Sequence, residues 1–284
     1  MPLYQVIVLA VVQAVTEFLP ISSTAHLILV PWVFGWRDPG LTFDIALHLG
    51  TLIAVAAYFA RTWVRVFFLA FGRRVLPVRP GEPDEDLYVN PRLFWFLVLA
   101  TVPAGVAGLA FEDRVATTWR DPYLIAAMMI GIGVVLWWAE RNAQLRKDLG
   151  QVRLLDSLAI GVAQALAIVP GTSRSGITIA AALFRGIDRA SAARFSFLLS
   201  TPIIGGATLK TALDLFHGGG VPSELRFAFI TGIVVSAVTG YLVIAFLISY
   251  LQTRTFKIFI WYRVVCGIII LALAIFFRDP VVIE

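Results

Sequence analysis

The chain has 284 residues, of which 59% are hydrophobic and only 14% are charged. Together with a mean hydropathy of +0.86, this composition excludes an ordinary soluble globular protein and indicates a polytopic membrane protein. The net charge of +5 comes mainly from arginines in the loops, which is typical of membrane orientation signals and argues against nucleic-acid binding. The single cysteine, Cys266, rules out an internal disulfide and a Cys-based metal site.

The first polar cluster along the chain is QAVTEFLPISSTAH, residues 13–26. It separates two apolar segments that are each too short to cross a bilayer core, which needs about 20 helical residues. Irregular backbone at membrane depth is tolerated only where protein or a wet cavity satisfies it, so the pattern predicts a re-entrant helical hairpin. Burying Glu17 and His26 there costs at least about 2–3 kcal/mol each, and such residues usually line a site.

The first hairpin carries residues suited to general acid/base or nucleophilic chemistry. Ser23 and His26 are three positions apart, so on a helix that starts after the proline they share one face. Glu17 reaches the same point from the other arm, and the three side chains together predict attack on phosphorus. Ser22 and Thr24 are equally well explained as helix N-caps.

Two further i, i+4 pairs lie near this hairpin. Gln13 and Glu17 share a helical face and are able to hold a divalent cation jointly, because Mg²⁺ commonly uses one or two carboxylates plus substrate phosphates. Asp44 and His48 form the second pair, at the start of the first long apolar run. These two residues either belong to the site or lie in solvent at the start of the helix.

Six apolar runs are long enough to cross the membrane: 42–60, 93–111, 123–140, 195–216, 227–250 and 258–277. Four loops hold 15 of the 23 Lys and Arg residues, namely 61–92, 141–155, 185–194 and 251–257. The positive-inside rule places these loops in the cytoplasm and both termini outside. The 61–92 loop also carries Pro77, Pro80, Pro83 and the acidic run 84–86, and is predicted to be a solvated linker without chemistry.

The second polar cluster, AQALAIVPGTSRSG at residues 163–176, has the same proline and hydroxyl-rich turn and predicts a second re-entrant hairpin. Thr172, Ser173 and Ser175 place hydroxyl groups around Arg174. Phosphate is the expected ligand, because a guanidinium binds it with two charge-assisted hydrogen bonds. The alternative is that Arg174 pairs with Glu17 as a buried salt bridge.

The two clusters predict an inverted repeat, with residues 1–140 and 155–278 as its halves. An offset of 150 residues aligns Pro20 with Pro170, Ser22 with Thr172, Ser23 with Ser173, Leu49 with Leu199 and Thr51 with Thr201. The glutamines Gln13 and Gln164 slip from this register by one. Three crossings between the hairpins would invert the second half, so the two turns can meet near the midplane, where inverted repeats place their sites.

Both motifs, together with FDIALHLGTLIAV (43–55) and ARFSFLLSTP (193–202), resemble the undecaprenyl-diphosphate phosphatase family associated with bacitracin resistance. The resemblance covers essentially the whole chain. It implies an enzyme of the bacterial plasma membrane with inverted repeats and two re-entrant hairpins. With the six apolar runs, the expected fold is an all-α, multi-pass protein with six transmembrane helices in a single integral membrane domain over 1–284. The implied reaction is hydrolysis of undecaprenyl diphosphate to undecaprenyl phosphate and inorganic phosphate, which recycles the lipid carrier of peptidoglycan synthesis.

The resemblance also implies roles for single residues. Glu17, Ser23 and His26 are expected to be catalytic, with Thr24 in the same motif and Ser173 and Arg174 as the phosphate-binding pair. A divalent cation, Mg²⁺ or Ca²⁺, is expected at Glu17 and Gln13, although the family often has glutamate where this chain has Gln13. The site is expected to open to the outer, periplasmic side, and a homodimer is possible.

Three alternatives stay open at this stage. A polyprenyl-phosphate transporter or flippase would also use inverted repeats with broken helices around a midplane site, although a transporter does not need the Glu–Ser–His set. Either Ser23, assisted by His26, or His26 itself is the nucleophile. Arg263 in the last span either snorkels to the interface or pairs with another group.

Overall fold

The protein is described from a computed structural model that covers residues 1–37, 39–76, 85–116, 119, 121–217 and 222–276. Within these residues the chain forms α-helices joined by short turns and three 3₁₀ segments, as predicted for an all-α protein. The helices are α1 Leu3–Phe18, α2 Ser23–Phe34, α3 Leu41–Tyr58, α4 Ala60–Ala70, α5 Leu93–Ala116, α6 Pro122–Asn142, α7 Leu154–Ala165, α8 Arg174–Phe184, α9 Arg189–His217, α10 Ser223–Leu251 and α11 Lys257–Phe276. The 3₁₀ segments are Glu85–Val89, Leu149–Gln151 and Leu166–Ile168.

Four helices of the described chain, α5, α6, α10 and α11, are long and apolar enough to cross a membrane. They confirm the predicted spans at 93–111, 123–140, 227–250 and 258–277, and they make this a multi-pass membrane protein. The predicted span 42–60 is part of a pair, α3 and α4, that bends by 68° and counts as a fifth candidate if taken as one span. The predicted span 195–216 lies within α9, which is long but not among these apolar candidates, so it is not confirmed.

The predicted solvated linker at 61–92 is wrong for most of its described part. Residues 61–70 belong to α4, and Leu87 is 1% exposed. Asp86 accepts a hydrogen bond from the Leu149 N–H and pairs with Arg194 at 3.2 Å, so the segment is fastened to α9. Burial raises the pKa of Asp86, while the Arg194 guanidinium opposes that rise. Pro77, Pro80, Pro83 and Asp84 lie outside the described residues.

Two helical pairs are too short for a crossing by either helix: α1 with α2, and α7 with its 3₁₀ extension and α8. In each pair a proline follows the first arm, and the second arm starts directly after a serine with a left-handed backbone. Ser22 has φ 76° and Ser173 has φ 68°, a conformation that is strained for non-glycine residues and is often found at functional sites. The two turns are therefore built alike.

The matching serines correct the predicted repeat register at the turns. Ser22 and Ser173 are the N-cap residues of α2 and α8, so the structural offset there is 151 rather than 150 residues. This offset also pairs Gln13 with Gln164 and Ser23 with Arg174. The N-cap serines thus follow the register of the glutamines, whereas Pro20 and Pro170 of the same turns keep the predicted offset of 150.

Close helix contacts hold these pairs in place. A Cβ atom added at Gly161 of α7 would lie 2.5 Å from the carbonyl oxygen of Ala100 in α5, and one added at Gly50 of α3 would lie 2.5 Å from that of Ile233 in α10. Real Cβ atoms do not approach backbone so closely, so both contacts require glycine. The first fixes α7 against α5, and the second fixes α3 against α10.

Candidate active site

The centre of the candidate site is a buried ion pair between the two turns. The Arg174 Nη2 atom donates to Glu17 Oε1 at 2.8 Å, and the two side chains are 11% and 7% exposed. The second oxygen, Oε2, accepts a hydrogen bond from Ser23 Oγ at 2.7 Å. The structure thus brings together a carboxylate, a hydroxyl and a guanidinium that the sequence placed on separate hairpins.

One nitrogen atom of the Arg174 guanidinium has no hydrogen-bond partner among the described residues. Its Nη1 atom donates to the carbonyl oxygen of Ser196 in α9 at 2.9 Å, which fixes the plane of the guanidinium. Its Nε atom is buried and has no hydrogen-bond partner among the described residues. The salt bridge weighed in the sequence is therefore present, yet it leaves a fixed cationic group with a free N–H.

The hydroxyl groups around Arg174 divide into two sets. Ser173 Oγ accepts from the Gly176 N–H at 3.1 Å, caps α8 and lines the cavity described below. Ser175 Oγ instead donates to the backbone oxygens of Glu17 and Leu19 at 3.1 and 3.2 Å, so it joins the second turn to the first. Thr172 is fully buried and lies outside the set of cavity-lining residues.

Arg263 is fully buried where the two turns meet. Its guanidinium donates to the backbone oxygens of Pro20 in the first turn and of Gly171 and Thr172 in the second, at 2.9–3.2 Å. Two more of its hydrogen bonds reach the carbonyl oxygens of Met128 and Met129 in α6. Of the two predicted alternatives, snorkelling is wrong and pairing is confirmed, and the partners of Arg263 are main-chain oxygens of both turns.

A cavity of about 700 Å³ opens beside the ion pair, within the size range of small-molecule sites. Its polar end is lined by Glu17, Ser23, Thr24, His48, Ser173 and Arg174. Its apolar lining comes mainly from α5 and α9 and includes Ala104, Gly105, Leu109, Pro202 and Ile204. The same two helices also add Thr101, Thr208, Lys210 and Thr211. The cavity therefore combines charged and hydroxyl side chains with a mostly apolar lining, as a lipid with an anionic head group requires.

Comparison with known proteins shows the family of this chain. Residues 6–269 match the family described as "Bacitracin resistance protein BacA". The chain belongs to this family. Proteins named "Undecaprenyl-diphosphatase" from Desulforudis audaxviator and Pelotomaculum thermopropionicum are 49% and 47% identical to it, each over 96% of this chain and over 98% and 97% of the relative. The relative of the same name from Thermomicrobium roseum is 44% identical over 98% of this chain and all of its own length.

His26, predicted to be catalytic in this BacA-family chain, does not line the described cavity. Its Nδ1 atom donates to the carbonyl oxygen of Ser22 at 2.7 Å, and its Nε2 atom lies 2.6 Å from the Tyr262 hydroxyl. With the proton on Nδ1, Nε2 accepts from that hydroxyl. Both ring nitrogens are therefore engaged, Nδ1 with the strained turn residue Ser22 and Nε2 with Tyr262.

His48 takes the place beside the carboxylate instead. Its Nε2 atom lies 3.5 Å from Glu17 Oε2, while its Nδ1 atom donates to the Asp44 carbonyl oxygen at 2.8 Å. The i, i+4 spacing with Asp44 was the sequence signal for this residue, and it left the outcome open. Its closeness to Glu17 depends on how α3 packs against α1, which no local pattern reveals.

The predicted cation ligands are Gln13 and Glu17, and of these two Glu17 alone lines the described cavity. Gln13 Nε2 lies 3.4 Å from Glu17 Oε2, and its Oε1 atom is buried without a hydrogen-bond partner. No group of three or more His, Cys, Asp or Glu side chains able to hold a metal occurs in the described parts of the chain. A cation here would thus need phosphate oxygens to complete its coordination.

Proposed function

We propose that this chain is an undecaprenyl-diphosphatase, which hydrolyses undecaprenyl diphosphate to undecaprenyl phosphate and inorganic phosphate. The observation that carries this proposal is the hydrogen-bonded set of Glu17, Ser23 and Arg174 at the charged end of a largely apolar cavity. The names of the BacA-family relatives support the same substrate. The product, undecaprenyl phosphate, would return to peptidoglycan synthesis as its lipid carrier. This recycling accounts for a link to bacitracin resistance.

The substrate would bind with its head group at the charged end. The terminal phosphate is held by Arg174, whose Nε atom is unused, with Ser173 and the first N–H groups of α8. A helix N-terminus suits an anion because its first N–H groups lack intrahelical acceptors and its dipole is positive there. Thr24 adds a hydroxyl from the facing turn, and the polyprenyl chain follows the apolar walls of α5 and α9.

The contacts of Ser23 support it as the nucleophile. Its hydroxyl already donates to Glu17 Oε2, which is the arrangement of a nucleophile and its general base. Ser23 Oγ attacks the terminal phosphorus, its proton passes to Glu17, and the bond to the bridging oxygen breaks with undecaprenyl phosphate as the leaving group. Water then cleaves the phosphoserine and releases inorganic phosphate. Arg174 stabilises the charge on the transferring phosphoryl group.

A divalent cation, Mg²⁺ or Ca²⁺, is proposed at Gln13 and Glu17 in the presence of substrate. When bound, it would neutralise charge on the diphosphate oxygens. The protein's own contacts orient the Glu17 carboxylate. Gln13 contacts it through Nε2, and Ser23 and Arg174 donate hydrogen bonds to its two oxygens.

The membrane arrangement completes the proposal. The two short helical pairs are re-entrant hairpins that enter from opposite faces, residues 1–140 and 155–278 form an inverted repeat, and α9 adds a sixth span. The like-built turns at Ser22 and Ser173 support the repeat. The enzyme lies in the bacterial plasma membrane with basic loops, including part of 61–92, in the cytoplasm and with its site open to the outer side. A homodimer is compatible with this arrangement.

The transporter alternative finds no support in the names of the relatives. The two functions differ in one product, because a transporter moves its lipid without releasing phosphate. The purified protein in detergent should release inorganic phosphate from undecaprenyl diphosphate, and a chelator should slow the release. Movement of the lipid between leaflets without any phosphate release would overturn the proposed function.

Two substitutions distinguish the candidate nucleophiles, Ser23 and His26. We expect Ser23→Ala to lower kcat at least about 10³-fold, because it removes the attacking oxygen, whereas His26→Gln should cost less than the roughly 10²–10⁴-fold typical of a lost general base. The measurement is phosphate release with thermal stability followed in parallel. A reversed ranking, with acid-labile phosphate trapped on the protein after rapid quenching, would identify His26 as the nucleophile.

A further inference from the structure

Gln164 is a buried polar residue that the fold does not use. It lies in the last turn of α7, is 2% exposed and lines the cavity. Both atoms of its carboxamide, Oε1 and Nε2, lack a hydrogen-bond partner among the described residues. A side chain with two donors and an acceptor thus faces the cavity with none of them satisfied.

Such a group is costly to keep. Buried side-chain polar atoms are nearly always hydrogen-bonded, and an unsatisfied one destabilises the folded state. The equivalent glutamine of the other turn, Gln13, does contact protein, through Glu17 at 3.4 Å. The hydroxyl of Thr101, which also lines the cavity, donates to the Leu97 carbonyl oxygen at 2.8 Å. Gln164 differs from Gln13 and Thr101 in that no polar atom of its side chain is hydrogen-bonded to the described protein.

The position of Gln164 indicates which part of a ligand it would contact. Gly161, one turn earlier, lies against the backbone of Ala100 in α5, so Gln164 stands at the α5–α7 contact. From α5 the apolar wall continues through Ala104 and Gly105, while Glu17 and Arg174 line the charged end of the same cavity. Gln164 thus shares one cavity with the proposed ligands of the terminal phosphate and with the apolar side chains of α5.

We propose that Gln164 binds the phosphate that remains on the lipid, with its Nε2 atom donating to a non-bridging oxygen of that phosphate. The inference rests on the proposed function and adds a substrate-binding residue to it. An uncharged amide suits this place, because it binds phosphate through donated hydrogen bonds and does not compete with Arg174 for the terminal phosphate. The contact orients the leaving group relative to Ser23.

The test compares Gln164→Leu with wild type in phosphate release from undecaprenyl diphosphate. Leucine is close in volume and removes an unsatisfied buried amide, so the thermal midpoint should stay equal or rise. The value of kcat/KM should fall roughly ten- to a hundredfold, the size expected when a phosphate oxygen loses a buried donor. Gln252→Leu, at the exposed C-terminal end of α10, is the matched control and should leave kcat/KM unchanged.

Product inhibition shows which phosphate is contacted. In Gln164→Leu, undecaprenyl phosphate should inhibit more weakly than in wild type, while inhibition by inorganic phosphate stays the same. Gln164→Glu keeps the shape but adds a negative charge, so it should show the same pattern with a larger loss even if the leucine variant folds poorly. Wild-type kcat/KM in both variants, or equal weakening of both inhibitors, would overturn the inference. Absence of phosphate release from the wild type would instead overturn the proposed function.

Discussion

Replacing Arg174 with lysine is expected to lower kcat/KM for undecaprenyl diphosphate by about 10²–10³-fold, which corresponds to losing one preorganised transition-state donor. The guanidinium holds Glu17 and the Ser196 carbonyl oxygen at the same time and still offers Nε. A lysine ammonium is a point charge and cannot donate hydrogen bonds in three directions within one plane. We therefore expect the loss to appear mainly in kcat.

The measurement is steady-state phosphate release at saturating and limiting substrate, with thermal unfolding followed on the same samples. Arg254→Lys, at an exposed position between α10 and α11, is the control and should behave as wild type. Near-wild-type turnover by Arg174→Lys would remove phosphate binding from the role of Arg174 and leave it as a partner of Glu17 alone.

Arg263→Met is expected to destabilise the protein by about 3–5 kcal/mol, the cost of disrupting a buried charged network. Five backbone oxygens would lose their donor, three of them in the two turns that carry the site. Because these oxygens are buried, water cannot readily replace the guanidinium. Both stability and phosphate release should therefore fall.

Arg263→Lys separates charge from geometry in this prediction. An ammonium group has three donors against five for the guanidinium, so the lysine variant should recover part of the stability lost in Arg263→Met. The measurement is the thermal midpoint in detergent alongside the rate of phosphate release. A methionine variant with wild-type stability and turnover would show that the turns keep their shape without Arg263.

Local pattern was sufficient to predict the apolar spans and the polar turns. The runs at 93–111, 123–140, 227–250 and 258–277 are confirmed because length and composition alone determine them. The break at α3–α4 and the contacts of Asp86 were missed, because they depend on α4 bending back and on packing against α9. A loop rich in proline and acid carries no signal for such a tertiary contact.

The sequence predicted which residues form the candidate site better than it predicted how they are arranged. Glu17, Ser23 and Arg174 meet as the two motifs suggested, since ionisable residues at membrane depth need partners. His26 faces Tyr262 instead, because a shared helix face does not determine which neighbour a side chain reaches. The role of Arg263 could not be predicted either, since its partners are backbone oxygens, which leave no trace in the sequence.

The central claim is that the two turns build one catalytic site through Glu17 and Arg174. A double-mutant cycle on phosphate release tests it most directly, with wild type, Glu17→Gln, Arg174→Lys and the double variant assayed on undecaprenyl diphosphate. Residues that act as a unit show strongly non-additive effects. We predict that the double variant is about as slow as the slower single variant, whereas losses that multiply across the two positions would contradict the account.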